Sequence, residues 1–154
     1  MDVILNKLNY KLQKNVMVLQ APDTFELQLG ILRQNSNVIV HRHESTVGFA
    51  VLFVTQKVEI EQMVGWIVPM LEADAVFWIC YPKGSSKRYK CDFNRDNGWT
   101  ALGAYEMEPV RQVAIDEDWS ALRFRNVKYI KTLKRDAAWA LSSEGKKRLS
   151  THNK

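Results

Sequence analysis

The chain has 154 residues, 46% hydrophobic and 25% charged, enough for one domain that buries roughly two-thirds of its unfolded surface without staples. Its net charge of +5 is uneven: Arg123 to Lys154 carries ten Lys or Arg against two acids, while Met1 to Leu122 carries twelve against fifteen. Cys80 and Cys91 lack CxxC spacing, which excludes a disulfide framework and a structural zinc site, and a reducing cytoplasm is the expected compartment. Asn6 and Lys7 interrupt any signal-peptide core, and Glu72 and Asp74 break the best apolar run, Val64 to Tyr81, so no membrane span is expected.

Val3 to Tyr10 reads as a short helix with Ile4, Leu5 and Leu8 on one side. Val16 to Leu19 is a continuous apolar run of strand length, the pattern of a strand buried on both faces. Asp23 is placed to cap a helix from Thr24, in which Phe25, Leu29 and Leu32 recur at helical spacing. Asn37 to Val40 and Phe49 to Val54 read as the next strands. Ile60, Met63, Val64, Ile67, Met70 and Leu71 make the clearest helical stripe, with Pro69 ending or kinking that helix.

Ala75 to Tyr81 is a fourth strand, stopped by Pro82. Asp92 to Glu106 reads as a helix despite Gly98 and Gly103. Val110 to Ile115 and Ala121 to Phe124 are the last strands, joined by an acidic turn too short for a parallel crossover, so the pair must be antiparallel. Residues 131 to 149 read as a terminal helix. The expected architecture is therefore α/β: a three-layer, Rossmann-like and methyltransferase-like fold with a mostly parallel sheet, a C-terminal antiparallel hairpin and a terminal helix. Residues 1–130 form the domain, and 131–154 a basic helical tail.

Three stretches carry a family resemblance: Val18-Leu19-Gln20-Ala21-Pro22, Leu52-Phe53-Val54-Thr55, and Tyr81-Pro82-Lys83-Gly84-Ser85-Ser86 with Asp92 and Asp96 behind it. The third continues from Pro109-Val110 through Ile115-Asp116-Glu117 and Trp119-Ser120-Ala121-Leu122-Arg123. Over Lys7 to Arg125 the chain resembles the bacterial domain-of-unknown-function family 3052. The resemblance implies a compact Rossmann-like domain and leaves its activity open.

In an α/β sheet, ligands bind outside the carboxyl ends of the parallel strands. A loop there bearing Lys83, Lys87, Arg88 and Lys90 points to an anionic partner. Gly84 would let backbone N–H groups turn inward, and Ser85 and Ser86 would add hydroxyl donors, making a phosphate or carboxylate nest near the start of the Asp92 helix. Asp23 and Thr24 stand at the neighbouring turn. The cofactor signature is missing: the turn after the first strand, Gln20-Ala21-Pro22-Asp23-Thr24, has no glycine to admit a cofactor, and His41-Arg42-His43 replaces a ribose-binding acid, with Glu44 slightly late.

Asp116, Glu117 and Asp118 beside Trp119 and Ser120 could bind a cation or tune an acid, although acids in a tight turn are ordinary. His41 and His43 share a face but lack an evident third metal ligand. No catalytic residue, cofactor or metal is assigned. The leading expectation is a non-catalytic binding module for an anionic small molecule or acidic partner at the carboxyl edge of the sheet. The alternatives are nucleic-acid binding through the 83–95 loop and basic tail, and a diverged methyltransferase-like enzyme with Asp116, Ser120 and Lys83 lining a shared cleft.

Overall fold

Three apolar runs become the parallel centre of one sheet in the computed structural model, which describes residues 2–42, 45–94 and 97–130. They are β1 (Asn15–Leu19), β3 (Val47–Phe53) and β4 (Leu71–Pro82). Every residue of β3 is buried, as a strand covered on both faces requires. The short β2 (Asn37–Ile39) runs parallel to β1 at one edge. Beyond β4, β6 (Trp119–Asn126) runs antiparallel and separates β4 from β5 (Met107–Ala114), so the strand order is β2-β1-β3-β4-β6-β5. The expected terminal helix and basic tail lie outside the described residues.

Side-chain alternation divides the core into two. On one face, Val16, Val18, Val51 and Trp78 meet Leu5 of α1 (Val3–Lys7), Leu8 just after it, and Leu29 and Leu32 of α2 (Glu26–Asn35). The Trp78 indole donates to the Leu8 carbonyl at 2.7 Å, which satisfies a buried ring N–H and ties that corner to the sheet. On the other face, Met17, Ala50, Leu52 and Phe77 meet Ile60, Val64 and Ile67 of α3 (Lys57–Ile67), together with Leu102 of α4 (Thr100–Gly103). The result is a three-layer Rossmann-like α/β fold with an antiparallel β4-β6-β5 part.

Several local expectations shift. Asp23 is not a helix cap; a 3-10 turn over Asp23–Phe25 leads into α2, with Asp23 inside its first turn. Pro69 lies in a second 3-10 turn, Val68–Met70, that closes α3. The largest difference is the expected Asp92–Glu106 helix, of whose described residues only the four of α4 are helical. Asp92 instead accepts the Lys57 N–H at 2.7 Å, at the start of α3. Phe93 and Trp99 pack edge-on to each other and against Tyr81. Gly98 has φ +92, and a Cβ there would lie 2.9 Å from the Phe93 ring. Tertiary contacts of Asp92, Phe93 and Trp99 therefore outweigh local helix formation.

Candidate functional site at the carboxyl rim

β1, β3 and β4 end at a common rim, and the strand order reverses between β1 and β3, because β2 lies on the far side of β1. This switch point is where such sheets form a ligand crevice. Gln20, with φ 61, turns the chain there without glycine. Its side-chain amide crosses from β1 to donate to the Phe53 carbonyl at 2.7 Å and to Glu59 Oε2 at 2.9 Å. Glu59 Oε1 accepts the N–H groups of Thr55 and Gln56, each at 3.0 Å, and the Thr55 hydroxyl at 3.3 Å. Burial would raise the Glu59 pKa, but hydrogen bonds from Thr55, Gln20 and Gln56 together outweigh it and hold the carboxyl below its ordinary value. On the face of the sheet opposite α3, edge-to-face and tilted rings run from Phe25 to Phe53, Trp119 and Tyr89, with centroids 5.0 to 5.2 Å apart.

The cationic loop does leave the same rim, and three of its backbone amides are already engaged within the chain. The N–H of Lys83 donates to the Asp118 carbonyl, that of Ser86 to the Lys83 carbonyl, and that of Tyr89 to the Ser86 hydroxyl. Those amides are unavailable to an anion. Among the described residues, the helix expected from Asp92 is confined to α4, and Gly84 has neither a left-handed φ nor a crowded Cβ position. Ser86 also donates to Asp118 Oδ1 at 2.8 Å, and Arg88 lies 4.0 Å from Asp118 Oδ2 and over the Tyr89 ring. Asp118, only 5% exposed, therefore fastens the loop to the β5–β6 turn. Ser85 and Lys87 are exposed, as are Asp23 and Thr24 in the turn after β1.

Lys83, Lys90 and Ser86 do line an open cavity of about 560 Å3 with Tyr81, Gln112 and Ser120. Gln112 donates to the Tyr81 hydroxyl at 3.1 Å, an arrangement made by strand pairing across β4, β6 and β5. Cys91 forms part of the wall. Burial pushes its thiol pKa up, with Asp92 and Glu59 adding to this against a Phe93 backbone hydrogen bond, a direction that disfavours the thiolate. Burial also raises Cys80, in mid-strand, well above its ordinary value.

The acidic cluster separates. Asp116 Oδ1 accepts the N–H groups of Asp118 and Trp119 at 2.8 and 2.9 Å, which closes the turn between β5 and β6. Glu117 is exposed, and Trp119 is core, 3% exposed. Of the three groups expected to share a cleft, Lys83 and Ser120 line this cavity and Asp116 is elsewhere. Among the described residues, no three His, Cys, Asp or Glu stand close enough for a metal, and no helix is long and apolar enough to cross a membrane. His41 is exposed, and its expected companion His43 lies outside the described residues. Sequence reasoning missed Gln20, Glu59, Tyr81 and Gln112. A polar Gln112 inside the expected Val110 to Ile115 strand was the available signal for one of them.

No protein-family model matches the chain. No curated protein matches it significantly. Among solved structures, the pyocyanin biosynthetic protein PhzM is similar with TM-score 0.54 and 9% identity, over 79% of this chain and 53% of that one. This chain thus spans about half that protein's length. The N-methyltransferase NodS from Bradyrhizobium japonicum WM9 has TM-score 0.48 and 12% identity, over 74% and 86% of the two chains. A putative type 11 methyltransferase from Sulfolobus solfataricus has TM-score 0.47 and 10% identity, over 86% and 92%. At these identities the likeness is one of fold, and the fold is that of the Rossmann-like methyltransferases. The leading expectation of a non-catalytic binding module is corrected: the likeness in fold to PhzM favours the diverged-enzyme alternative, and the Lys83, Ser86 and Tyr89 amides of the loop on which that module depended are engaged within the chain.

Proposed function

We propose that the chain is a diverged enzyme built on the methyltransferase fold, acting on an oxyanion-bearing substrate in the cavity beside β4 and β6. The observation that carries this reading is the cavity's lining. Lys83 and Lys90 bring positive charge, Ser120 a hydroxyl and Gln112 an amide, while the described lining residues include no carboxylate. Such a surface of donors binds an anionic group and stabilises negative charge that develops on a substrate oxygen. Lys83 and Lys90 would hold the substrate, and Ser120 and the Gln112–Tyr81 pair would orient it. The free cysteines agree with a reducing cytoplasm as the working compartment.

S-adenosylmethionine is the donor that this fold implies, and the switch-point residues do not fit it. The turn that should let a cofactor approach the backbone holds Gln20, whose side chain bridges β1 to β3. We therefore derive no step through that cofactor.

The test is incubation of the purified chain with an extract of small metabolites, with and without added S-adenosylmethionine, followed by mass spectrometry. We expect an anionic metabolite to be consumed without the added cofactor, and consumption to slow at least roughly tenfold in the Lys83→Ala/Lys90→Ala double variant. No consumption in either arm, or equal consumption by the double variant, overturns the reading.

A further inference from the structure

The switch-point crevice is crossed by the chain's own groups. The Gln20 amide joins the carboxyl ends of β1 and β3 through the Phe53 carbonyl and Glu59. Glu59 is engaged on both oxygens, by the amides of Thr55 and Gln56, the Thr55 hydroxyl and Gln20. The start of α3, which would attract a phosphate or carboxylate through its free amides, already faces two carboxylates. Glu59 takes the Gln56 N–H, and Asp92 takes the Lys57 N–H. An anionic ligand there would have to displace both and lie beside their charges. On the face of the sheet opposite α3, Phe25 and Phe53 pack edge to face with centroids 5.0 Å apart, both 1% exposed.

We infer that this chain has exchanged the cofactor crevice of its fold for a structural clasp centred on Gln20 and Glu59, and that it takes neither S-adenosylmethionine nor a dinucleotide at the switch point. The Gln20 side chain stands where the cofactor would approach the backbone, and the first amides of α3 are taken by Glu59 and Asp92. The chemistry of this protein is thereby confined to substrate and side chains in the β4–β6 cavity, none of whose described lining residues comes from β1 or β3.

The test is direct binding of S-adenosylmethionine and of NADH, by calorimetry, to the full chain and to the Gln20→Gly and Gln20→Ala variants. Wild type is expected to show no saturable binding up to about 1 mM, a limit near −4 kcal/mol. Binding gained only in Gln20→Gly assigns the exclusion to the bridging side chain. Absence of binding in both supports the inference too, because Glu59 and Asp92 still take the first amides of α3. Saturable binding by wild type overturns it. Hydrogen exchange gives an independent readout: Thr55 and Gln56 amides should exchange faster in Gln20→Ala, and unchanged exchange also overturns the clasp. Cofactor binding and metabolite turnover are separate readouts, so failure of this inference is distinguishable from failure of the proposed function.

Discussion

Removing the Asp118 carboxylate should loosen the 83–89 loop while sparing the sheet. In the folded chain that carboxylate is nearly buried and accepts the Ser86 hydroxyl at 2.8 Å. A hydrogen bond to a charged group contributes about 1.5–3 kcal/mol, partly offset here by the desolvation of the carboxylate. The Arg88 contact adds little, because its 4.0 Å separation and half-exposed guanidinium place it among weak surface pairs of about 0–1 kcal/mol. The backbone bond from Lys83 to the Asp118 carbonyl survives substitution. The net loss expected for Asp118→Ala is therefore about 1–2 kcal/mol, a fall in Tm of roughly 2–8 °C for a chain of this size.

A double-mutant cycle with Ser86→Ala, read by urea unfolding, isolates the interaction. Its coupling energy should be about 1 kcal/mol. The Tyr89 amide, which donates to the Ser86 hydroxyl, should lose exchange protection in Asp118→Ala and in Ser86→Ala. Additive single-variant effects, with Tyr89 protection unchanged, would refute the view that Asp118 holds the loop.

Two further outcomes follow from the same structure. Because hydrogen bonds hold the Glu59 carboxyl below its ordinary value, its contribution to stability is fully present above the unfolded value near ~4.3 and disappears as pH falls through the folded one. The Tm difference between wild type and Glu59→Gln should accordingly be large at pH 6 and shrink toward pH 3; a difference independent of pH contradicts the assignment. Gly98→Ala should destabilise by more than about 1 kcal/mol, since a left-handed φ and the Phe93 ring both oppose a Cβ, whereas Gly84→Ala should stay within about 0.5 kcal/mol. Equal denaturation midpoints for the two glycine variants would contradict that contrast.

Continuous apolar runs such as Val16–Leu19 and Phe49–Val54 were legible as buried strands because a strand covered on both faces needs apolar residues at every position. The α3 stripe was legible for the equivalent reason at helical period. The missing glycine after β1 correctly marked an unusual cofactor turn, although nothing local revealed that Gln20 spans to Phe53 and Glu59. The 92–106 segment misled because its Asp92, Phe93 and Trp99 answer to distant partners, and a weak helical propensity yields to such contacts.

The chain alone therefore determined its class, the paired strands at its end and the rim that carries the cationic loop, all of which follow from periodicity and connection length. The insertion of β6 between β4 and β5, the joining of Lys83, Ser120 and Gln112 around one cavity, and the Gln20 bridge from β1 to β3 were decided only in three dimensions. Each depends on which residues far apart in sequence become neighbours, and strand register and side-chain direction set that after the sheet has assembled.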